Sequence, residues 1–198
     1  MQDGHNAVLL EPGPQGALNA RIQRNIPHVI CATLQDAGIA RESFDVAGVF
    51  DVIEHIRDDD EFVKNIASII KPGGILVATV PAHQWLWSQK DVDAGHFRRY
   101  SESSFLDLVD PYFQTLQVSY FFGPLVLPIL LLKSIPYRFG FTRRRTGKVE
   151  SAEHATTGGP VAKMLRQYLS HELNQLRREK KKRIGSSLLF VGIKQSKM

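Results

Sequence analysis

The sequence predicts an α/β domain of three layers, with helices on both faces of a mostly parallel sheet. Three observations carry that reading. Residues 44–50 (FDVAGVF) and 75–80 (ILVATV) are short, Val-rich apolar runs of the kind that form strands covered on both faces. Between them, Phe62, Ile66, Ile69 and Ile70 recur at three- and four-residue spacing and give residues 59–70 one apolar helical face. Two strands joined by a helix of this length form a right-handed crossover in a parallel sheet.

The remaining elements follow in chain order. Residues 7–10 read as a short strand ending in Glu11, and Pro-Gly-Pro then leads into a helical stretch at 15–24. Residues 28–32 form the next strand. Asp58, Asp59, Asp60 and Glu61 put acid at the start of the central helix, where the helix dipole favours it. Lys71-Pro72-Gly73-Gly74 ends that helix, because Pro cannot continue it and Gly accepts the positive φ of a cap. Glu54 and His55 are expected to open the helix after the strand 44–50. Ser101 caps a helix at 102–109, and 113–122 is a further strand. The apolar run 120–132 contains Pro124 and Pro128 and is too short to span a bilayer. It is read as a buried insertion helix, with a monotopic membrane patch or a wall for a lipid-linked ligand as the alternative. Residues 143–157 read as a polar linker. A helix begins at Pro160 with Val161, Met164, Leu165, Tyr168, Leu169, Leu173 and Leu176 on one face. Its end, RREKKKR, suits either a solvated helix terminus or anionic phospholipid.

At 198 residues the chain has the size of one domain with its own core. A single cysteine, Cys31, argues against a disulfide framework and suits a reducing cytoplasm. No secretory leader is visible at the start. The net charge of +5 is uneven: residues 1–139 carry 11 basic and 16 acidic side chains, residues 140–198 carry 14 and 4. An anionic partner would therefore be met by the C-terminal third. No internal repeat, P-loop, nucleophile elbow or metal-ligand spacing is present in the sequence, so no metal is expected.

FDVAGVFDVIEHI, then IIKPGG, then ILVATVP, resembles the fourth and fifth strands of class I S-adenosylmethionine (SAM)-dependent methyltransferases. The run HQWLWSQKDVDAGHFRRYS is similar to a bacterial subgroup acting on small molecules. The resemblance covers residues 7–122, with a weaker echo at 184–194. It implies a Rossmann-like fold, SAM as cofactor, and a last strand that inserts antiparallel near the sheet edge. It divides the chain into a partial SAM-binding core at 1–122, an apolar and basic helical insertion at 123–183, and the last core strand with its tail at 184–198. It puts Glu11 on the ribose hydroxyls, Thr33 and Leu34 beside the adenine, and Phe50 and Asp51 at the methionine end. A carboxylate suits the ribose because it only accepts and can take two donors. The family's first strand and glycine-rich loop should precede Glu11 by roughly twenty residues. Only ten residues with a lone Gly4 do so here. The expectation is either a truncated version of a longer protein or a chain that has lost the motif, and in both cases a fold whose SAM binding is in question. A non-catalytic fragment or binding module retaining the fold is the competing function. A dinucleotide oxidoreductase is disfavoured because it needs the same glycines.

The loop 81–101 carries more polar and aromatic groups than a connector needs. His96 or His83 is expected as a catalytic base, with Asp91 or Asp93 as its partner, and Trp87, Arg98, Arg99 and Tyr100 are expected to bind substrate. His55 is expected to orient a substrate or to support its loop. A self-packed lid whose Asp and Arg pair with one another is the alternative. The methyl acceptor would be a small or lipid-linked molecule, with no nucleic acid, and the protein would be cytoplasmic or peripheral at the inner membrane face.

Overall fold

The computed structural model describes residues 6–141, 160–178 and 181–195. Its elements run β1 (Leu9–Leu10), α1 (Pro14–Ile22), β2 (Val29–Ile30), β3 (Phe44–Phe50), α2 (Asp59–Ile69), β4 (Ile70–Pro81), α3 (Gln89–Ala94), α4 (Glu102–Val109), β5 (Phe113–Phe121), α5 (Val126–Ile129), α6 (Ile135–Arg138), α7 (Pro160–Arg177) and β6 (Ser187–Lys194). The predicted linker at 143–157, together with Lys180, lies outside the described residues, and so do the side chains of Val161, Met164 and Leu165.

The crossover predicted at the centre is present. β3 and β4 pair in parallel, with Val46 opposite Ile75 and Phe50 opposite Thr79. Asp58 caps α2 by accepting from the Glu61 backbone N–H, and the chain turns extended at Ile70. Ile70–Gly74 therefore does not form a separate turn. It enters β4 as a bulge that shifts the register against β3, with Gly73 at φ +75°. β6 returns antiparallel between β4 and β5, which gives the order β3-β4-β6-β5. β1 and β2 pair in parallel as a separate two-stranded sheet. The α/β fold stands, and its sheet is mixed: parallel towards the N-terminal strands, antiparallel towards the C-terminal ones.

One face of the four-stranded sheet holds the core. Phe62, Val63 and Ile66 of α2 and Phe105 and Val109 of α4 pack with Leu76, Ala78 and Val80 of β4, Phe113 of β5, and Leu188 and Phe190 of β6. Each of these apart from the small Ala78 contributes about 1.5–3 kcal/mol on leaving water. α7 occupies the other face. Gln117 Nε2 donates to the Leu176 carbonyl at 2.9 Å. The buried Glu172 accepts from the Phe122 N–H at 2.9 Å and from Lys182 Nζ at 2.8 Å. Described residues of α7 line a pocket with Thr79 of β4, Phe121 of β5 and Leu189 of β6. The expectation that β3 is buried on both faces is corrected, for Val46 and Phe50 are exposed.

The predicted insertion lies between β5 and β6 as a bent helical run through α5 and α6. Pro136 has no N–H to give the preceding turn, and the run widens to a π turn at Leu130–Ser134 just before it. Ser134 Oγ donates to the Leu86 carbonyl at 2.8 Å and Arg138 Nη2 to the Trp85 carbonyl at 2.8 Å, which fastens the insertion to the loop after β4. Its outer side is not buried, in contrast to the expectation: Leu127, Leu131, Leu132 and Phe139 are exposed, as is Phe141 just beyond.

A Cβ at Gly185 would overlap the backbone of Phe121, at the point where the chain enters β6. Gly185→Ala is expected to cost about 3 kcal/mol, the upper end of overpacking penalties. Urea unfolding should show this as a lower midpoint at unchanged slope. A wild-type midpoint would mean that the chain does not pass so close to Phe121.

Candidate active site

The C-terminal ends of β3 and β4 open onto two loops, at the sheet edge where open α/β folds bind ligands. Asp51 leaves β3 in the left-handed region (φ +51°), and its N–H donates to the Thr79 carbonyl at 2.9 Å. Phe50 and Asp51 stay exposed there. Ile53, Glu54 and His55 form a single 3-10 turn before α2, and so do not open that helix as the sequence suggested. Phe97 N–H donates to the Glu54 carbonyl at 2.8 Å, which draws the second loop against this turn.

That second loop, residues 82–100, closes on itself. His83 N–H donates to the Tyr100 carbonyl at 2.8 Å and Tyr100 N–H to the Pro81 carbonyl at 2.9 Å. Asp91 is the hub. Its Oδ2 accepts from the Ser88 N–H at 2.9 Å and Oγ at 3.0 Å, and its Oδ1 accepts from Arg99 Nε at 2.7 Å and lies 3.0 Å from His96 Nδ1. Burial works to raise the Asp91 pKa. The Arg99 guanidinium, then His96 and the Ser88 N–H, outweigh it and hold the carboxyl below its usual range. Gly95 ends α3 at φ +76° and allows the chain to reverse, bringing His96 back over Asp91.

The structure thus joins His96 to Asp91, whereas Asp93 is exposed and accepts from Gln89 Nε2 at 2.8 Å. Residues expected to meet substrate are engaged within the protein instead. Arg99 donates to Asp91 and to the Ala82 carbonyl. Arg98 pairs with Asp59 at 2.7 Å and donates to the Arg57 carbonyl. The buried Tyr100 hydroxyl donates to Asp59 at 2.7 Å. For these residues the geometry is that of the self-packed lid. Trp87 is half-buried and enters α3.

His83 differs from them. Its backbone is held at φ 60° and ψ 108°, an uncommon conformation for a residue with a side chain. Its ring is stacked on Trp85, centroids 4.9 Å apart, and on Tyr120 at 4.6 Å. Its Nε2 is buried with no hydrogen-bond partner. Burial, and then the Arg99 charge, push its pKa down, so the ring is neutral at neutral pH.

Glu11 directly follows β1, and Thr33 lies three residues beyond the end of β2. Glu11 folds back over the start of α1 and accepts from the Gly13 N–H at 2.9 Å, which leaves acceptor capacity on the carboxylate. Thr33 and Asp36 form a local turn through their side chains. Leu34 is buried in the core, so only its backbone can face a ligand. Among the described residues no hydrogen bond or ion pair joins this pair of strands to Asp51.

Sequence reasoning missed Glu54. It is fully buried, and neither carboxylate oxygen has a hydrogen-bond partner. Burial above all, opposed by its own backbone N–H and by Arg99 and reinforced by Asp51 and Asp91, pushes its pKa up to about 7. The one sequence signal was a Glu-His pair directly after an apolar strand.

Residues 2–78 match a family model described as a methyltransferase domain. A ubiquinone biosynthesis O-methyltransferase of Nitrobacter winogradskyi is 27% identical over 86 residues, 41% of this chain and 33% of that protein. The enzyme of the same description from Parvibaculum lavamentivorans is 41% identical over 51 residues, 25% of this chain and 20% of its own. The matched regions thus span between a fifth and a third of the length of these curated relatives. Among solved structures, an S-adenosylmethionine-dependent methyltransferase from Mesorhizobium loti superposes with a TM-score of 0.58 at 13% identity, over 97% of this chain and 82% of that one. The methyltransferase of a Haloferax volcanii enzyme–activator complex gives 0.58 at 16% identity, over 100% and 76%. The fold is therefore the Rossmann-like methyltransferase fold. Residues 2–78 thus match the methyltransferase-domain model, and the fold of the chain agrees with that match.

The Glu54 environment makes stability depend on pH. A carboxyl whose folded pKa is raised from 4.5 to about 7 binds more protons folded than unfolded between those values. Stability therefore falls as pH rises through that window, by on the order of 3 kcal/mol for a shift of this size. Glu54→Gln in metal-free buffer is expected to flatten this fall and to be the more stable form at pH 8. Chemical denaturation at pH 5 and pH 8 measures it, and parallel pH profiles for the two proteins would show that Glu54 is solvated.

Proposed function

We propose that the chain binds S-adenosylmethionine along the C-terminal sheet edge and directs methyl transfer to a small or lipid-linked acceptor. Bound SAM supplies an electrophilic methyl group for in-line displacement, so the protein's task is to align an acceptor, exclude water and take up a proton. The observation that carries this reading is His83: a neutral imidazole, fixed by two stacked rings on a strained backbone, with a buried Nε2 that no described residue hydrogen-bonds. We assign it as the base that receives the acceptor's proton. Glu11, the Thr33 and Leu34 backbone, Phe50 and Asp51 are the proposed cofactor contacts. Arg99 and Asp91 hold the loop beneath them, and Trp87 is the remaining candidate to face the acceptor. We retain the division into a core at 1–122, an insertion at 123–183 and a returning strand at 184–198.

A second reading, a binding module that keeps the fold without catalysis, is favoured by one observation: the sheet is divided between β1 and β3. Calorimetry with SAM separates the two. The enzyme reading expects saturable binding, and Glu11→Ala should weaken it by about 1–3 kcal/mol, the cost of leaving buried donors unmet. His83→Ala should leave that binding unchanged and abolish turnover. No heat with SAM would favour the module.

The exposed Leu127, Leu131, Leu132, Phe139 and Phe141 support a lipid-linked acceptor met at a membrane surface, with the protein cytoplasmic and peripheral. No described helix is long and apolar enough to cross a membrane. Recovery with anionic vesicles is expected to exceed that with neutral ones and to fall at high salt. Equal recovery from both vesicle types would remove the membrane from this reading.

A further inference from the structure

Glu54 and His55 on the turn after β3 meet His96 on the loop after α3. One ligand atom from each lies within 4.8 Å of the other two. Glu54 is fully buried, and both of its oxygens lack hydrogen bonds. An ionised carboxylate in that position is costly unless a cation meets it. His96 is already oriented as a ligand, for its Nδ1 faces Asp91 Oδ1 at 3.0 Å and its Nε2 is left for another partner. Asp91 is itself fixed by Arg99 and Ser88, so that ring has a rigid carboxylate behind it. This is the outer-shell arrangement that aims a metal-bound imidazole. His55 meets His96 edge to face, centroids 4.6 Å apart.

We propose that Glu54, His55 and His96 form a binding site for one divalent transition-metal ion of the zinc class, with Asp91 as the positioning residue behind His96. Two imidazoles and one carboxylate suit zinc and its neighbours, whereas magnesium and calcium are held by oxygen ligands. Bonds of about 2.0–2.2 Å in a tetrahedron put ligand atoms roughly 3.4 Å apart, so the three side chains draw together on binding. The exposed His55 has the freedom to make that movement. Three protein ligands leave a fourth position for water or for an oxygen of a ligand in the adjoining crevice. The site does not depend on SAM binding and is tested with the metal alone.

Chelator-treated full chain is titrated with Zn2+ by calorimetry and with Co2+ by its visible absorption. One equivalent is expected, with the Co2+ spectrum of a tetrahedral site. Glu54→Gln, His55→Ala and His96→Ala should each weaken binding by about tenfold or more, and Asp91→Asn by roughly ten- to a hundredfold. His171→Ala, on the exposed side of α7, should leave it unchanged. Metal-free thermal unfolding identifies any variant that fails to fold, and the remaining ligand substitutions then carry the test. No stoichiometric uptake would overturn the proposal, as would uptake that survives all three ligand substitutions or a preference for Mg2+.

Discussion

Asp91 is the group on which the loop beside the sheet edge depends. Four contacts converge on one buried carboxylate, from Ser88 twice, Arg99 and His96. Each charge-assisted bond is worth about 1.5–3 kcal/mol, and removing the carboxylate would leave the mostly buried Arg99 charge unpaired. Through Arg99 the hub reaches the Ala82 carbonyl next to His83. Through His96 it reaches Glu54 and His55. A strained histidine and a cluster of potential ligands are thus held by the same ion pair, and the loop can keep an uncommon backbone at His83 because its other end is fixed.

The insertion adds a second constraint. Ser134 and Arg138 bind carbonyls of the turn Gln84–Leu86, which follows His83 directly. The part of the chain least like the core is therefore also a support of the candidate site. Its buried side faces that turn, while its outer side is left apolar and exposed.

Where a local rule coincided with a tertiary one, the sequence was easy to read. β3, α2 and α4 declared themselves through apolar spacing and caps, and β3 and α4 have the expected ends. Lys71–Gly74 was misread because a Pro-Gly-Gly run looks the same in a bulge as in a turn, and only the register against β3 tells them apart. The exposure of Val46 and Phe50 was hidden because an apolar strand looks alike whether or not a helix covers it. In the site, Asp91 and His96 were both among the expected residues, but which of two histidines met which of two aspartates was left open until the fold joined them. The inward engagement of Arg98, Arg99 and Tyr100 was not, since Asp59 lies some forty residues from two of them in sequence. Glu54 and His96 are equally distant in sequence, and only folding puts their ligand atoms together.

The outer edge of β3 has no strand beside it among the described residues, since β1 pairs only with β2. A row of free backbone donors and acceptors next to exposed Val46 and Phe50 is a template for any extended chain that approaches it. Among the described residues β5 forms the opposite edge of this sheet, so the β3 border is set apart by the exposed Val46 and Phe50 beside it. Crowding or concentration is expected to act on that border before it disturbs the packed face of the sheet.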